Sequence, residues 1–144
     1  MEAHEGKAEV EMMSADFKDA FNMLRLAKAE QPLVVVKGAD GEHGQPRYFA
    51  FQVVVFGLAP GPLLWGRVAA AAMRLAQSAM WPLEAEVSTF VDDPLMLAAA
   101  TCARERTWSF AKYCVVWLAL GLELSWSKAH RGVCIDWIGF NLDV

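Results

Sequence analysis

The chain has 144 residues, 56% of them hydrophobic, and a formal net charge of −4 at pH 7. That length fits one domain with a core of its own, and the charge lacks the basic excess of a strong polyanion binder. Glu2, Glu5, Glu9 and Glu11 against Lys7 put −3 in the first eleven residues and −1 in the rest, so residues 1-9 read as an acidic tail and residues 10-144 as one near-neutral domain.

The first residues are acidic and lack an apolar core, which excludes a secretory signal and places the chain inside the cell, cytoplasmic or nuclear. Val10 to Phe17 reads as a strand. Asp19 is placed to cap a short helix through Leu26, since its side-chain oxygen can accept from free first-turn N–H groups. Leu33 to Lys37 is a β-branched run ended by the glycine-rich turn Gly38–Gly44, and Arg47 to Val55 completes a hairpin with it. From Pro60 the period becomes helical, with Leu64, Val68, Ala71, Leu75 and Ala79 as the expected apolar face and Pro82 as the stop. Leu63 to Trp81 is the one candidate membrane span, but Arg67, Arg74 and Gln77 interrupt it, so a buried core helix is expected and no membrane.

Val87 to Val91 and Leu95 to Ala99 form the arms of a hairpin whose tip carries Asp92 and Asp93. Thr101 is expected to cap a helix with Trp108, Ala111, Val115 and Leu118 on its apolar face, closing at Gly121. Gly132 to Leu142 reads as a strand pair. Strands and helices interleaved around an antiparallel hairpin give an α+β class, a small antiparallel sheet with helices packed on one face. Cys102, Cys114 and Cys134 show no Cys-x-x-Cys pair, which argues against zinc or a disulfide framework and reads as buried thiols. Trp65, Trp81, Trp108, Trp117 and Trp126 read as packing, and His4, His43 and His130 receive no role.

The adjacent acids Asp92 and Asp93 are the most informative pair. Side by side they repel, and desolvating an ionised carboxylate costs several kcal/mol unless a cation compensates. Successive strand residues face opposite ways, so both reach one cation only where the chain turns, and Pro94 fits such a turn. Taken alone, Asp-Asp reads first as a solvated turn.

The surrounding blocks carry more. DFKDAF from Asp16, FGLAPGP from Phe56, FVDD from Phe90, GLELSWSK ending at Lys128, and WIGF from Trp137 occur in that order over Val10 to Leu142. Together they resemble the palm of reverse transcriptases, the RNA-directed DNA polymerases, of retroviral and long-terminal-repeat retrotransposon type. The resemblance implies nucleotidyl transfer of deoxynucleotides to a primer 3′-hydroxyl with two Mg²⁺ ions, for which Mn²⁺ can substitute. It makes Asp16 and Asp92 shared metal ligands, with Asp93 assisting and the Phe17 carbonyl completing one coordination shell. It places the backbone N–H groups of Asp19 and Ala20 against the triphosphate, Phe56 and Gly57 against nucleotide and template, and Trp137, Ile138 and Gly139 against the primer. It makes Phe21 a gate against a ribose 2′-hydroxyl, where polymerases that make RNA carry aspartate. Lys128 would act as a general acid or phosphate contact.

Each residue also has an ordinary reading: Phe21 as helix packing, Lys128 as a solvated charge, Trp137 and Ile138 as core. The implied partners are an RNA or DNA template with its primer, and deoxynucleoside triphosphates. Fingers would not fit before Asp16, and Asp143 and Val144 alone follow the primer-grip segment. The expectation is therefore a palm with fingers incomplete and thumb absent, supplied by fused retroelement domains. Two alternatives stand beside it. One is a catalytically inactive remnant of the same fold; the other is a non-catalytic RNA-binding α+β module, for which the sequence shows no aromatic platform with basic flanks. Pro94 in place of an apolar residue, Val55 before Phe-Gly, and the proline-rich Ala59–Pro62 depart from the family pattern.

Overall fold

The computed structural model describes residues 7–39, 46–80 and 85–144. The first six tail residues, most of the glycine-rich turn, Trp81 and Pro82 lie outside them. In chain order the elements are β1 (Glu9–Ser14), β2 (Val35–Ala39), β3 (Pro46–Ala50), α1 (Gly61–Ala79), β4 (Ala85–Phe90), β5 (Asp93–Ala100), α2 (Ala103–Ala119), β6 (His130–Gly132), β7 (Cys134–Trp137) and β8 (Phe140–Asp143). The chain forms two compact units, one of residues up to Lys18 with Gly66–Val144, the other Asp19–Trp65.

The first unit is built on a four-stranded antiparallel sheet in the order β4-β5-β1-β6. β1 pairs with β5 so that Met12 faces Leu97 and Ser14 faces Leu95. Side chains alternate along a strand, so Met12, Leu95 and Leu97 share one face. On that face the β7–β8 hairpin supplies Ile135, Trp137 and Leu142 to a common cluster with Met12 and Leu95. Glu11 belongs to the opposite face, where α2 packs against β5.

The Glu11 side chain is held there by Arg131 of β6, whose guanidinium meets both carboxylate oxygens at 2.7 and 2.8 Å, and by Arg106 of α2 at 3.2 Å. Arg106 is itself buried, bonding the Ala100 carbonyl at 2.9 Å and Glu9 at 2.9 Å. The Arg131 bonds, with Arg106 adding to them, hold the Glu11 carboxyl below its ordinary range. Gln77 of α1 donates to the Ala85 carbonyl at 2.7 Å and accepts from the Val87 N–H at 2.9 Å, fastening the start of β4 to the helix.

Both helices turn a different face inward from the one expected. In α1 the buried stripe is Trp65, Ala69, Ala72, Met73 and Ala76, continuing to Met80, and Leu64, Val68, Ala71, Leu75 and Ala79 face outward. In α2 the buried set is Arg106, Ser109, Phe110, Tyr113, Cys114 and Trp117, whereas Trp108 is 59% and Val115 63% exposed. Each helix offers two stripes at three- and four-residue steps, so periodicity alone cannot choose between them. In α2 the choice follows area: three aromatic rings lie on the inner side. Trp117 meets Phe17 edge-on at 5.3 Å and stacks on Tyr113 at 5.8 Å. Arg106 and Ser109, which made that side look polar, are satisfied by Glu9, Glu11 and backbone carbonyls.

Several smaller expectations shift too. Cys102, not Thr101, precedes α2, and its side chain makes no cap bond. Cys102 and Cys134 are exposed, so Cys114 alone of the three is a buried thiol, and Trp126 is exposed rather than packed. The closure of α2 at Gly121 is as expected. Its φ is +79°, its N–H bonds the Leu118 carbonyl at 3.0 Å, and Leu122 N–H bonds Trp117 at 2.9 Å.

In the second unit β2 and β3 form the hairpin, with Val36 opposite Phe49 and Gly38 opposite Arg47. The Phe49 ring lies over Gly38 so closely that a Cβ there would be 2.8 Å from the ring edge. Exposed Tyr48 stands opposite Lys37, a basic cross-strand neighbour that the linear sequence did not reveal. The helix after Asp19 is one short 3₁₀ turn, Ala20–Met23. Asp19 sits at its cap in the left-handed region (φ 54°) with no side-chain cap bond, its carbonyl instead accepting from Met23 at 3.1 Å. The expected side-chain cap and the extension to Leu26 are therefore absent.

The reassigned faces of α2 give a stability prediction. Trp117→Ala should cost about 3–5 kcal/mol, as truncation of a buried aromatic does, while Trp108→Ala should stay within about 0.5 kcal/mol. Urea unfolding of the two variants checks this; equal losses would mean that the outward face of α2 is covered.

Candidate functional site

The continuation of β1 beyond Ser14 builds the site. Ala15 N–H bonds the Pro94 carbonyl at 3.1 Å and Phe17 N–H bonds the Asp92 carbonyl at 2.8 Å, extending the β1–β5 ladder past the end of the regular strand. In that register Asp16 stands opposite Asp93 and on the same face as Ser14 and Leu95. From the other side Ser125 N–H bonds the Asp16 carbonyl at 2.8 Å and Lys18 N–H bonds Glu123 at 2.9 Å. Phe17 bridges Leu124, and its ring is buried. Asp16 is thus fixed by backbone on both sides, with its side chain turned to a cavity.

Asp92 is presented differently. It lies in the two-residue turn that joins Phe90 and Asp93, the paired ends of β4 and β5. Val91 takes the left-handed conformation there, with φ 55°. That conformation is costly for a β-branched residue. The turn therefore precedes Pro94, which was expected to mark it. Pro94 is buried inside β5 opposite Thr89.

A cavity of about 330 Å³ collects Ser14, Ala15, Asp16, Asp92, Asp93, Lys128, His130, Asp136, Trp137 and Ile138. All three acids singled out in the sequence line it. Burial first, then the charges of Asp92 and Asp16, push the Asp93 carboxyl above its ordinary value of 3.8, and Lys128 acts in the opposite direction. Lys128 ends the 3₁₀ turn Trp126–Lys128, and its ammonium donates to Asp16 Oδ2 at 2.9 Å. That bond and the charge of Asp16 raise the Lys128 pKa.

The primer-grip candidates lie on the β7–β8 turn. Ile138 (φ 45°) and Gly139 (φ 84°) are both left-handed, the backbone a two-residue hairpin of the primed type requires. The Trp137 indole N–H donates to the Asp93 carbonyl at 3.2 Å, tying this hairpin to the acidic one. Trp137 and Ile138 line the cavity.

Asp19, Ala20, Phe21, Phe56 and Gly57 belong to the second unit. Ala20 and Phe21 are buried, and the Phe21 ring lies 4.7 Å from that of Phe56 and 6.3 Å from that of Trp65. Phe56 is 78% exposed. Gly57 has φ +90° with open space around it, so its conformation rather than crowding calls for glycine.

Ser14, Ala15, His130 and Asp136 also line the cavity and were given no role from sequence. Asp136 adjoins Trp137 and accepts from Asn141 at 2.9 Å across the hairpin. Its adjacency to the WIGF block was the available signal.

The donor chemistry suits a hard divalent cation: carboxylates in one cavity, the pKa of one of them raised by burial first and then by neighbouring negative charge that a cation would offset. Among the described residues, no three His, Cys, Asp or Glu side chains form a ready-made metal set.

The family profile described as reverse transcriptase (RNA-dependent DNA polymerase) matches residues 2–142, nearly the whole chain. No curated protein matches it.

The raised Asp93 carboxyl gives a pH prediction. The folded state binds this proton more tightly than the unfolded state, so stability falls as pH rises from the ordinary aspartate value through the raised one. Asp93→Asn removes that ionisation. In metal-free buffer it should melt above the native chain at neutral pH, with the gap closing as pH falls below the ordinary aspartate range. Thermal melts across that range check it, and a gap independent of pH would place the cause elsewhere.

Proposed function

The chain belongs to the reverse transcriptase (RNA-dependent DNA polymerase) family, and from that membership we propose that it is the palm of a retroelement polymerase of retroviral or long-terminal-repeat type. In this reading it adds deoxynucleotides to a primer 3′-hydroxyl on an RNA or DNA template. The observation that carries it is the single cavity shared by Asp16, Asp92 and Asp93, reached from blocks far apart in sequence. Two Mg²⁺ ions, or Mn²⁺ in their place, would bring activation of the hydroxyl and neutralisation of phosphate charge.

The chain's own residues provide the frame. Asp16, Asp92 and Asp93 offer oxygen donors on backbone that β1, β5 and the Glu123–Ser125 segment hold in place. Trp137, Ile138 and Gly139 present a tight hairpin tip at the cavity for the primer end. The N–H groups of Asp19 and Ala20, at the start of their 3₁₀ turn, face the triphosphate in this reading. Phe56 offers an exposed ring to the template, and Phe21, packed behind it, limits the space at the sugar.

A catalytically inactive remnant of the same fold is the second reading, favoured by the lack of a ready-made metal set among the described residues.

Primer extension separates the two. It should require Mg²⁺ or Mn²⁺ and fall by orders of magnitude in Asp92→Asn while the circular dichroism of the fold persists. The assay uses the chain joined to reverse-transcriptase fingers and thumb; extension undiminished by that substitution would sink the two-metal reading, and none by the joined native sequence under either metal would favour the remnant.

Phe21 generates another expectation. Phe21→Val should raise the kcat/KM for ribonucleotides relative to deoxyribonucleotides, because the shorter side chain opens space near the ribose C2′. An unchanged ratio would leave Phe21 as a core residue packed against Phe56 and Trp65.

A further inference from the structure

We propose that Lys128 is the resident counter-cation of the acid cavity, which a divalent ion must displace from Asp16, so that this lysine sets the affinity of the site for metal. The inference rests on the metal-binding reading above and goes beyond it by giving one residue a specific competitive role.

Three observations carry it. The Lys128 ammonium sits on Asp16 Oδ2 at 2.9 Å, engaging an oxygen through which the aspartate would bind an ion. Its base is anchored to the same aspartate: Ser125 N–H bonds the Asp16 carbonyl at 2.8 Å, and Lys128 N–H bonds the Ser125 carbonyl at 3.0 Å. The lysine is therefore returned to Asp16 by short-range backbone geometry whenever the cavity lacks another cation. The third observation is exposure, since the Lys128 side chain is 64% accessible. An exposed ammonium on a flexible four-carbon stem swings into water at little cost, whereas a buried one would not. A divalent ion brings twice the charge to acids that already repel one another, so displacement runs in its favour.

Lys18 supplies an internal comparison. It makes an ion pair of similar length, 3.2 Å, but with Glu123, which does not line the cavity.

Mn²⁺ binding to the 144-residue chain, monitored by the electron paramagnetic resonance signal of the free ion, tests the proposal without any need for catalysis. Lys128→Met should bind Mn²⁺ roughly three- to tenfold more tightly than the native chain, the range expected for removing one charge from about 6 Å in water. Lys18→Met, which removes the same charge from outside the cavity, should stay within about twofold. Unchanged or weaker binding by Lys128→Met would overturn the proposal, and so would equal tightening by both variants, which would reduce the effect to net charge. Asp16→Asn identifies which idea fails. Mn²⁺ binding that depends on Asp16 but ignores Lys128 removes the counter-cation role and leaves the metal site standing; no Asp16-dependent binding in any variant removes both.

Discussion

The pairing of β1 with β5 is the constraint on which the site depends. Its register puts Ser14 opposite Leu95, and two further backbone bonds, Ala15 to Pro94 and Phe17 to Asp92, carry the ladder on until Asp16 stands across from Asp93. A slip of one residue would turn Asp16 to the opposite face, where α2 packs, and send Met12 out of its cluster with Leu95 and Ile135. The apolar core and the acid cavity are therefore specified by the same register. Stability of the first and chemistry of the second cannot vary independently, because the side chains involved alternate along one strand.

Around that ladder, charge is paired on one face and gathered at a cavity on the other. On the helix side, Glu11 is fully answered by Arg131 and Arg106, with Arg131 also resting 5.0 Å over the Phe110 ring. On the hairpin side four aspartates, Asp16, Asp92, Asp93 and Asp136, line a cavity, and Lys128 reaches in from the solvent side to Asp16. The contrast lies in exposure. Arg106 is buried and its pairing holds α2 to the sheet, whereas the Lys128 side chain is largely solvated.

Backbone strain is confined to a few turns. Among the described residues, the non-glycine residues with positive φ are Asp19, Val91 and Ile138. Each lies inside one of the sequence blocks that carry the family resemblance, and each sits at a tight turn next to a proposed functional residue. A left-handed conformation costs about 1–3 kcal/mol for such residues, so these turns are held by their surroundings: Val91 by the β4–β5 pair closing on Phe90 and Asp93, Ile138 by the β7–β8 pair closing on Trp137 and Phe140. The strained residue orients its C-terminal neighbour, Asp92 in one case and Gly139 in the other.

By itself the sequence determined the order of the blocks, the acidic hairpin, the glycine stop after α2, and three of the four acids that line the cavity, because short-range rules govern them. Turn residues, helix termini and adjacent carboxylates act through neighbours a few positions away. It could not determine which stripe of α1 or α2 turns inward. Leu64–Ala79 and Trp65–Met80 have the same period, and the decision rested on how much aromatic area each side could bury and on whether Arg106 would meet Glu9 and Glu11, residues about a hundred positions distant. Nor could it place Lys128, His130 and Asp136 at one cavity or give Lys128 to Asp16. Those contacts exist only once β6, β7 and the 3₁₀ turn before them have closed on β1, since an ion pair between distant residues is set by tertiary register and leaves no periodic trace in the chain.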